Sequence, residues 1–375
     1  MLLSEEGSSL EGNDPRAGCE KLRHRFQALF STGQQGFTAT GRRAHSARGW
    51  ASSRGLAIRA AASNHFGISF CLSIFLCEEE QDCQRVARLA GAVHLLQSAT
   101  LTTDDVFDFA DVRYHHPTIH RRYDVSHAIV AAEVLQSIAM QCINAELERP
   151  GFHNRVLVLN LFHQIVKDLY AGQHLDVCST ANLHVTTRDY RRVIELGAGR
   201  FFANLARGAA LLRGKARAHV ESLAAFGYHY GMGLFITDDI IDITQERAVT
   251  GKTFAPDLKN RRMRLPLILA LQLGSKKDAR WLGEFLRSKD NSRTVLLEAA
   301  NRIQQSGALR ACQAIANDYL RRSIESLAAM DGSPTARSLT WLSQRLLRPE
   351  RTGEPDVQIV LPPAFRRPPP APPSY

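Results

Sequence analysis

Two groups of three aspartates in this sequence have the residue type and spacing that suit a divalent cation. The first group is Asp104, Asp105 and Asp108, and the second is Asp238, Asp239 and Asp242. In each group the first and third acids are four residues apart, so a helix places them on one face, one turn apart. Like charges at that spacing weaken a helix by about a few tenths of a kcal/mol. The occurrence of two such acid groups therefore indicates that a bound cation neutralises part of their negative charge.

The neighbours of the second group indicate that its helix is largely buried. They are the apolar residues Leu234, Phe235, Ile236, Ile240, Ile241 and Ile243. A buried carboxylate without a partner is costly, and Mg2+ prefers carboxylate oxygens together with phosphate. A single acid group would be weak support, because acid pairs are common on solvated helix faces. Two such groups predict acidic helices that face each other and hold Mg2+ and a diphosphate between them.

The composition argues against a nucleic-acid partner. The chain has 375 residues and is 44% hydrophobic, which is enough for one large domain or two average ones with a real core. Its formal net charge of +10 would suit nucleic acid. Most of that excess, however, lies between Lys21 and Cys77, where eight Lys and Arg occur without any Asp or Glu. The sequence contains no nucleic-acid-binding motif, and we expect no nucleic acid to bind.

Cysteine usage and hydropathy predict a reduced protein without a transmembrane span. The seven cysteines are odd in number and show no metal-ligand spacing. This usage favours buried thiols in a reducing compartment over a disulfide framework. No run of about eighteen consecutive apolar residues occurs, which is the length that a membrane-spanning helix needs.

Composition divides the chain into three segments. Residues 1–62 are acidic and Gly/Ser-rich at first and then basic, which predicts disorder. Their Arg-, Ser- and Ala-rich part also suits an organelle transit peptide. With such a peptide we expect a mitochondrial protein, and without it a cytoplasmic one. Because a transit peptide begins at residue 1, a basic disordered arm and a misassigned start stay open as alternatives. Residues 63–350 form the folded domain, and the Pro-rich segment 351–375 is expected to be disordered.

Helical periodicity runs through the middle segment, and no convincing alternating strand is found. We expect helices at 66–77, 85–103, 125–147, 156–170, 190–212, 220–243, 281–286, 294–305, 309–330 and 336–347, with another that opens at Pro266. A basic, His-rich loop is expected at 112–123, and a second basic loop at 251–264. Helix after helix with short loops predicts an all-α bundle.

Four blocks carry a resemblance to a known family: LLQSATLTTDDVFDFADVRYHHPTIHRRY, AGQHLDV, FGYHYGMGLFITDDIIDITQERAVTGKTFAPDL and RLPLILAL. In order and spacing they resemble the trans-prenyltransferases, that is the polyprenyl diphosphate synthases, over roughly Ser63 to Arg348. The resemblance implies an isoprenoid synthase-type helical bundle with a central cavity, usually dimeric. It also implies that Mg2+ helps an allylic diphosphate to ionise, and that isopentenyl diphosphate attacks the resulting cation.

The resemblance also implies roles for single residues. Asp104 and Asp108 would bind metal with Asp105 beside them, and Asp238 would be the direct metal ligand of the second group. Asp239 and Asp242 would act through water. The substrate-binding positions would be Arg113, which grips the allylic diphosphate, Lys252 and Arg262 at positions of family lysines, and Gln173 and Asp176 in the mid-chain GQxxD element.

The chain departs from the family where isopentenyl diphosphate should bind. Its cationic anchors are replaced by other residues, namely His65, Phe66, Ile68, Gln97 and Tyr114. Losing several charge-assisted contacts would weaken the binding free energy of isopentenyl diphosphate by on the order of a few kcal/mol. Three functions therefore stay open: a prenyl diphosphate synthase, which we favour, a class I terpene synthase that ionises without elongation, and an accessory subunit of a heteromeric synthase.

Product length is inferred from the same resemblance. Family members with a bulky aromatic residue five positions before the first acid group make short products, whereas this chain has Ala99 followed by Thr100. A product of about twenty carbons or longer is expected. Leu135, Ile138 and Ala139 are candidates for the floor of the cavity.

Overall fold

The computed structural model describes residues 83–113, 116–244, 255–330 and 332–347. The segments expected to be disordered, 1–62 and 351–375, and the helix expected at 66–77 lie outside the described residues. Within the described ranges most of the chain is helical. The all-α fold class is confirmed.

The helices are numbered here in chain order. They are α1 Cys83–Phe107, α2 Ile119–Arg122, α3 Val125–Glu148, α4 Arg155–Cys178, α5 Thr187–Ile194, α6 Arg200–Leu212, α7 Arg217–Thr244, α8 Pro256–Lys259, α9 Leu265–Leu273, α10 Lys276–Arg287, α11 Arg293–Gln305, α12 Ala308–Glu325 and α13 Pro334–Leu346. A π-helical segment, Glu195–Gly199, joins α5 to α6, and a 3-10 turn, Ala328–Met330, precedes α13.

Three expectations about the secondary structure were wrong, the first being the basic loop at 251–264, which contains the short helix α8 Pro256–Lys259. The loop expected at 112–123 contains an antiparallel pair of two-residue strands, β1 Val112–Arg113 and β2 His116–Pro117, followed by α2. Strands this short cannot show the alternation by which a strand is recognised in a sequence. Helix α4 continues to Cys178 instead of ending near residue 170. The GQxxD element is therefore part of a helix.

Glycines bring α7 close to the π-helical segment and to α6. A Cβ added to Gly231 on α7 would lie 2.6 Å from the carbonyl oxygen of Ala198. At Gly227, four residues earlier, it would lie 2.4 Å from the carbonyl oxygen of Phe202. Only glycine allows backbones to approach this closely. Gly227 and Gly231, the latter being the first residue of the GMG motif, thus allow α7 to pack this closely.

Helix α7 is shared by two hydrophobic clusters. Its first half packs on α6 and belongs to a cluster that also includes residues of α1, α3 and α4, in which Leu96 of α1 and Phe226 of α7 are buried. Its second half packs with α9 to α12, where Met232 and Leu282 are fully buried. Full burial of such a side chain contributes about 1.5–3 kcal/mol to stability. Because both halves of α7 are packed, the acids near its C-terminal end have a fixed position.

Helix α3 has an exposed apolar face. Val125, Ile129 and Val130 are between 41% and 49% exposed. Among the described residues α3 alone has the length and hydropathy of a membrane span, and 28% of its most apolar window is buried. One such helix is weak support for a span, so the expected absence of one stays a prediction. Cys142, Cys178 and Cys312 are free thiols.

Candidate active site

Both acid groups lie at the C-terminal ends of helices. Asp104 and Asp105 are in the last turn of α1, and Asp108 is in the turn that follows Phe107. Asp242 is in the last turn of α7, which ends at Thr244. The carbonyl end of a helix carries partial negative charge and therefore disfavours acids. Each group needs nearby positive charge, and arginines from other elements supply part of it.

Arg113 of β1 bridges the two adjacent acids of the first group. Its Nε lies 2.5 Å from Oδ1 of Asp105, and its Nη2 lies 2.9 Å from Oδ2 of Asp104. A planar guanidinium suits this two-carboxylate arrangement better than an ammonium group does. The hairpin missed by the sequence analysis thus places Arg113 against α1.

Asp108 contacts a different arginine. Nη2 of Arg262 donates to Oδ1 of Asp108 at 2.9 Å, and Nη1 donates to Oγ1 of Thr180 at 3.0 Å. Burial, together with the charges of Asp104 and Asp257, raises the pKa of Asp108 to about 8, although Arg264 and Arg262 act to lower it. The two arginines thus do not offset the combined effect of burial and the neighbouring acids on the pKa of Asp108.

Asp176 joins α4 to the same polar centre. Nη1 of Arg264 donates to its Oδ1 at 2.6 Å, and Nη1 of Arg262 lies 3.5 Å from its Oδ2. Burial raises the pKa of Asp176, while both arginines lower it. Because Arg262 contacts both Asp108 and Asp176, the first acid group and the GQxxD element share one cation.

The second acid group is linked to this centre through Arg264. Nε of Arg264 lies 3.3 Å from Oδ1 of Asp257 and 3.9 Å from Oδ1 of Asp239. The hydroxyl of Tyr190 on α5 donates to Oδ2 of Asp239 at 2.6 Å. Burial raises the pKa of Asp239 to about 8, against the lowering effect of Arg264. Asp239 is buried, and Asp238 beside it is exposed.

The other expected site residues differ in position. Asp242 is buried and accepts a hydrogen bond from the backbone N–H of Asp257 at 3.3 Å. Nε2 of Gln173 is buried on α4 and has no partner among the described residues. Lys252 lies outside the described residues.

The structure thus brings most of the expected residues together. Asp108, Asp176 and Arg262 are in direct contact, Asp239 joins them through Arg264, and Arg113 holds Asp104 and Asp105. Of the expected acceptor-site positions, Gln97 is partly buried on α1, whereas His65, Phe66, Ile68 and Tyr114 lie outside the described residues.

The donor chemistry of the centre fits a hard cation. Within the described ranges, no three His, Cys, Asp or Glu side chains already converge as metal ligands do, and guanidinium groups lie between the carboxylates. Two carboxyl groups, those of Asp108 and Asp239, nevertheless have a pKa of about 8, and a hard cation that binds carboxylate oxygens would favour their ionised form. Asp104, Asp108 and Asp238 are the residues that would hold Mg2+ there.

Sequence reasoning missed Arg264, Asp257 and Tyr190. Arg264 stands directly before the apolar run of α9, and Pro256 with Asp257 begins the single-turn helix α8. A charge at the edge of an apolar run was a usable signal for Arg264. Tyr190 had no such signal, because its hydroxyl meets an acid 49 residues away.

A cavity of about 830 Å³ opens beside the first acid group. Its lining includes the apolar side chains of Val106, Phe107, Phe109, Val125 and Val177 and the cationic side chains of Arg121, Lys259, Arg262 and Lys289. The volume is within the usual range for small-molecule sites, about 300–1,000 Å³. An apolar wall next to cations suits an amphiphile with an anionic head group.

Comparison with known proteins agrees with this geometry. Residues 52–303 match the family model for polyprenyl synthetase. The short chain isoprenyl diphosphate synthase of Methanothermobacter thermautotrophicus is 27% identical over 266 residues, which are 70% of this chain and 80% of that protein. The all-trans-nonaprenyl-diphosphate synthase (geranyl-diphosphate specific) of Rhodobacter capsulatus is 28% identical over 279 residues, with coverage of 74% and 82%.

A solved structure shows the same fold. The geranylgeranyl pyrophosphate synthase of Corynebacterium glutamicum, complexed with isoprenyl diphosphate and magnesium, superposes with a TM-score of 0.74 at 18% identity. The superposition covers 89% of this chain and 99% of that one. Because the family model matches more than half of the length of this chain, the chain belongs to the polyprenyl synthetase family and is a transferase of the polyprenyl diphosphate synthase type.

Proposed function

We propose that this protein is a Mg2+-dependent trans-prenyltransferase that condenses an allylic diphosphate with isopentenyl diphosphate. The observation that carries the proposal is the shared polar centre, in which Arg262 and Arg264 connect Asp108 of the first acid group to Asp239 of the second. Acids placed on two separate surfaces would not serve one diphosphate.

The residues of the centre have distinct roles in the proposed reaction. Mg2+, when bound to Asp104, Asp108 and Asp238, would supply Lewis-acid stabilisation of the departing diphosphate. Arg113 and Arg262 would keep positive charge near the diphosphate oxygens. The hydrophobic clusters on both sides of α7 would exclude water, which would otherwise quench the allylic cation.

The cavity beside α1 supports an allylic diphosphate as the substrate. Its apolar side chains suit an isoprenoid chain, and Arg262 connects its wall to Asp108. A product of about twenty carbons or longer is supported by small side chains on α1. Ala99 is not among the residues that line this cavity; it is fully buried on α1, in the same cluster as Leu135 and Ala139 of α3.

A second copy of this chain, or a second synthase subunit, is the proposed partner. Besides the exposed apolar residues of α3, the start of α4 also has exposed apolar side chains, Val156 and Leu157, which are 76% and 40% exposed. Covering such residues would remove apolar surface from water. Size-exclusion chromatography with light scattering tests this, because a monomer at all concentrations contradicts a homodimer.

The discriminating assay supplies purified protein with farnesyl or geranylgeranyl diphosphate, with and without isopentenyl diphosphate. Longer diphosphates formed only with isopentenyl diphosphate support the proposal. Hydrocarbons or alcohols formed without it identify a terpene synthase. Turnover only after a second synthase subunit is added identifies an accessory subunit, the third alternative.

Two single substitutions test the assigned acids. Asp104→Ala and Asp238→Ala should each abolish turnover, because each removes a carboxylate from the proposed metal site. The matched control is Asp318→Ala, which changes a partly exposed acid on α12 that is paired with Arg322. Turnover retained by both site variants would reject the assignment.

Mitochondrial localisation is proposed from the acid-free basic segment alone, with a cytoplasmic location as the alternative. A fluorescent fusion of the full chain, compared with one that lacks residues 1–62, tests it. Identical cytoplasmic signals from both fusions would contradict the mitochondrial assignment.

A further inference from the structure

Arg264 lies among carboxylates from three separate elements. Its guanidinium contacts Asp176 of α4 at 2.6 Å, Asp257 of α8 at 3.3 Å and Asp239 of α7 at 3.9 Å. Its side chain is 14% exposed. It is therefore placed inside the acidic centre and not on its rim.

The backbone of Arg264 is anchored as firmly as its side chain. Its N–H donates to the carbonyl oxygen of Arg262 at 3.0 Å, and its carbonyl accepts from the N–H of Ile268 at 3.0 Å. It is the residue directly before α9, whose Leu265 and Leu267 are fully buried. The guanidinium is consequently held among the acids by α9, which cannot shift without disturbing the core.

A guanidinium in this position carries a permanent charge. Arginine does not lose its proton in proteins. Its guanidinium therefore neutralises part of the negative charge of its partner carboxylates at every pH at which they are ionised. The acids that Arg264 contacts are not the three assigned as direct metal ligands, so its effect on the metal is one of charge. Its positive charge acts on the ligand Asp108, and the guanidinium repels a divalent cation at short range.

We propose that Arg264 is a resident counter-cation of the active site, which weakens the binding of Mg2+ alone and thereby makes tight metal binding depend on a diphosphate. The inference rests on the proposed function, since it assigns a role within the same metal and diphosphate site. A diphosphate brings negative charge that offsets the extra cation. Metal and diphosphate therefore bind together more readily than metal does alone.

Isothermal titration calorimetry of the full chain with Mg2+ alone tests the proposal. Arg264→Gln should bind Mg2+ at least about tenfold more tightly than the wild type, which is about 1.4 kcal/mol. Arg264→Lys keeps the charge and should stay within about threefold of the wild type. With magnesium pyrophosphate as the titrant, the difference between the wild type and Arg264→Gln should shrink.

A charge-balanced pair of variants covers the case in which Arg264→Gln does not fold. The double variant Arg264→Gln/Asp176→Asn removes one charge of each sign and is compared with Asp176→Asn. The double variant should bind Mg2+ about tenfold more tightly than Asp176→Asn. The rise in melting temperature on adding Mg2+ gives a second readout, and it should be larger for the variants without the guanidinium.

Equal Mg2+ affinity with and without the guanidinium overturns the role of Arg264 and leaves the proposed function standing. If neither the wild type nor any of these variants binds Mg2+ or magnesium pyrophosphate, the role of Arg264 and the metal-dependent function both fail. The two failures are therefore distinguishable.

Discussion

Replacing Tyr190 with Phe removes a single hydroxyl from the buried part of the active site. That hydroxyl donates to Oδ2 of Asp239 at 2.6 Å, and both residues are buried. A hydrogen bond to a charged group contributes about 1.5–3 kcal/mol, and one between neutral groups about 1 kcal/mol. The free energy of unfolding should therefore fall by more when Asp239 is ionised than when it is protonated.

The size of the loss should depend on pH in a defined direction. Burial raises the pKa of Asp239 to about 8, and the hydrogen bond from Tyr190 acts to lower it. Without that donor the pKa of Asp239 rises further, so the variant loses additional stability as the pH increases through about 8. We expect a loss of about 1 kcal/mol near pH 6.5 and about 2–3 kcal/mol near pH 9.

Urea unfolding of metal-free protein, followed by far-UV circular dichroism at both pH values, measures this loss. The matched control is Tyr170→Phe, because the hydroxyl of Tyr170 donates to Gln136 at an exposed position. The control should change the free energy of unfolding by less than about 0.5 kcal/mol at either pH. A loss for Tyr190→Phe that equals that of the control, or that is the same at both pH values, would refute the reasoning.

Three further predictions concern packing, loop anchoring and pH. Gly231→Ala should destabilise the protein by about 1–3 kcal/mol in thermal unfolding, because its Cβ would lie 2.6 Å from a carbonyl oxygen of the π-helical segment. Gly197→Ala, where the Cβ meets nothing within 4 Å, is the control and should be neutral or stabilising. Arg261→Met should cost about 3 kcal/mol or more by urea unfolding, since its buried guanidinium donates to the carbonyl oxygens of Leu258, Phe285 and Asp290; an unchanged midpoint would show that water replaces these bonds. Because the pKa of Asp239 is raised from 3.8 to about 8, folded metal-free protein holds a proton that the unfolded chain releases, and stability should fall as the pH rises from about 4 to about 8. Asp239→Asn should flatten that part of the stability profile, and an unaltered slope would assign it to other groups.

The sequence by itself determined the helical class, the two acid groups and the family. These properties follow from local spacing: apolar residues that recur every three or four positions predict helices, and acids four apart share a helix face whatever lies elsewhere. Arg113, Arg262 and Asp176 were singled out only through the resemblance to the family, whose motifs are continuous along the chain.

Only the tertiary structure decided how the acids are compensated. Asp176 meets Arg264 across 88 positions, and Tyr190 meets Asp239 across 49. The choice between a metal ion and a guanidinium as the nearest cation depends on how α4, α7 and α9 pack. Local sequence cannot encode such contacts, because the partner of a buried charge is selected by long-range packing and not by its neighbours in the chain. The same reason explains why the hairpin that positions Arg113 appeared only in the folded protein.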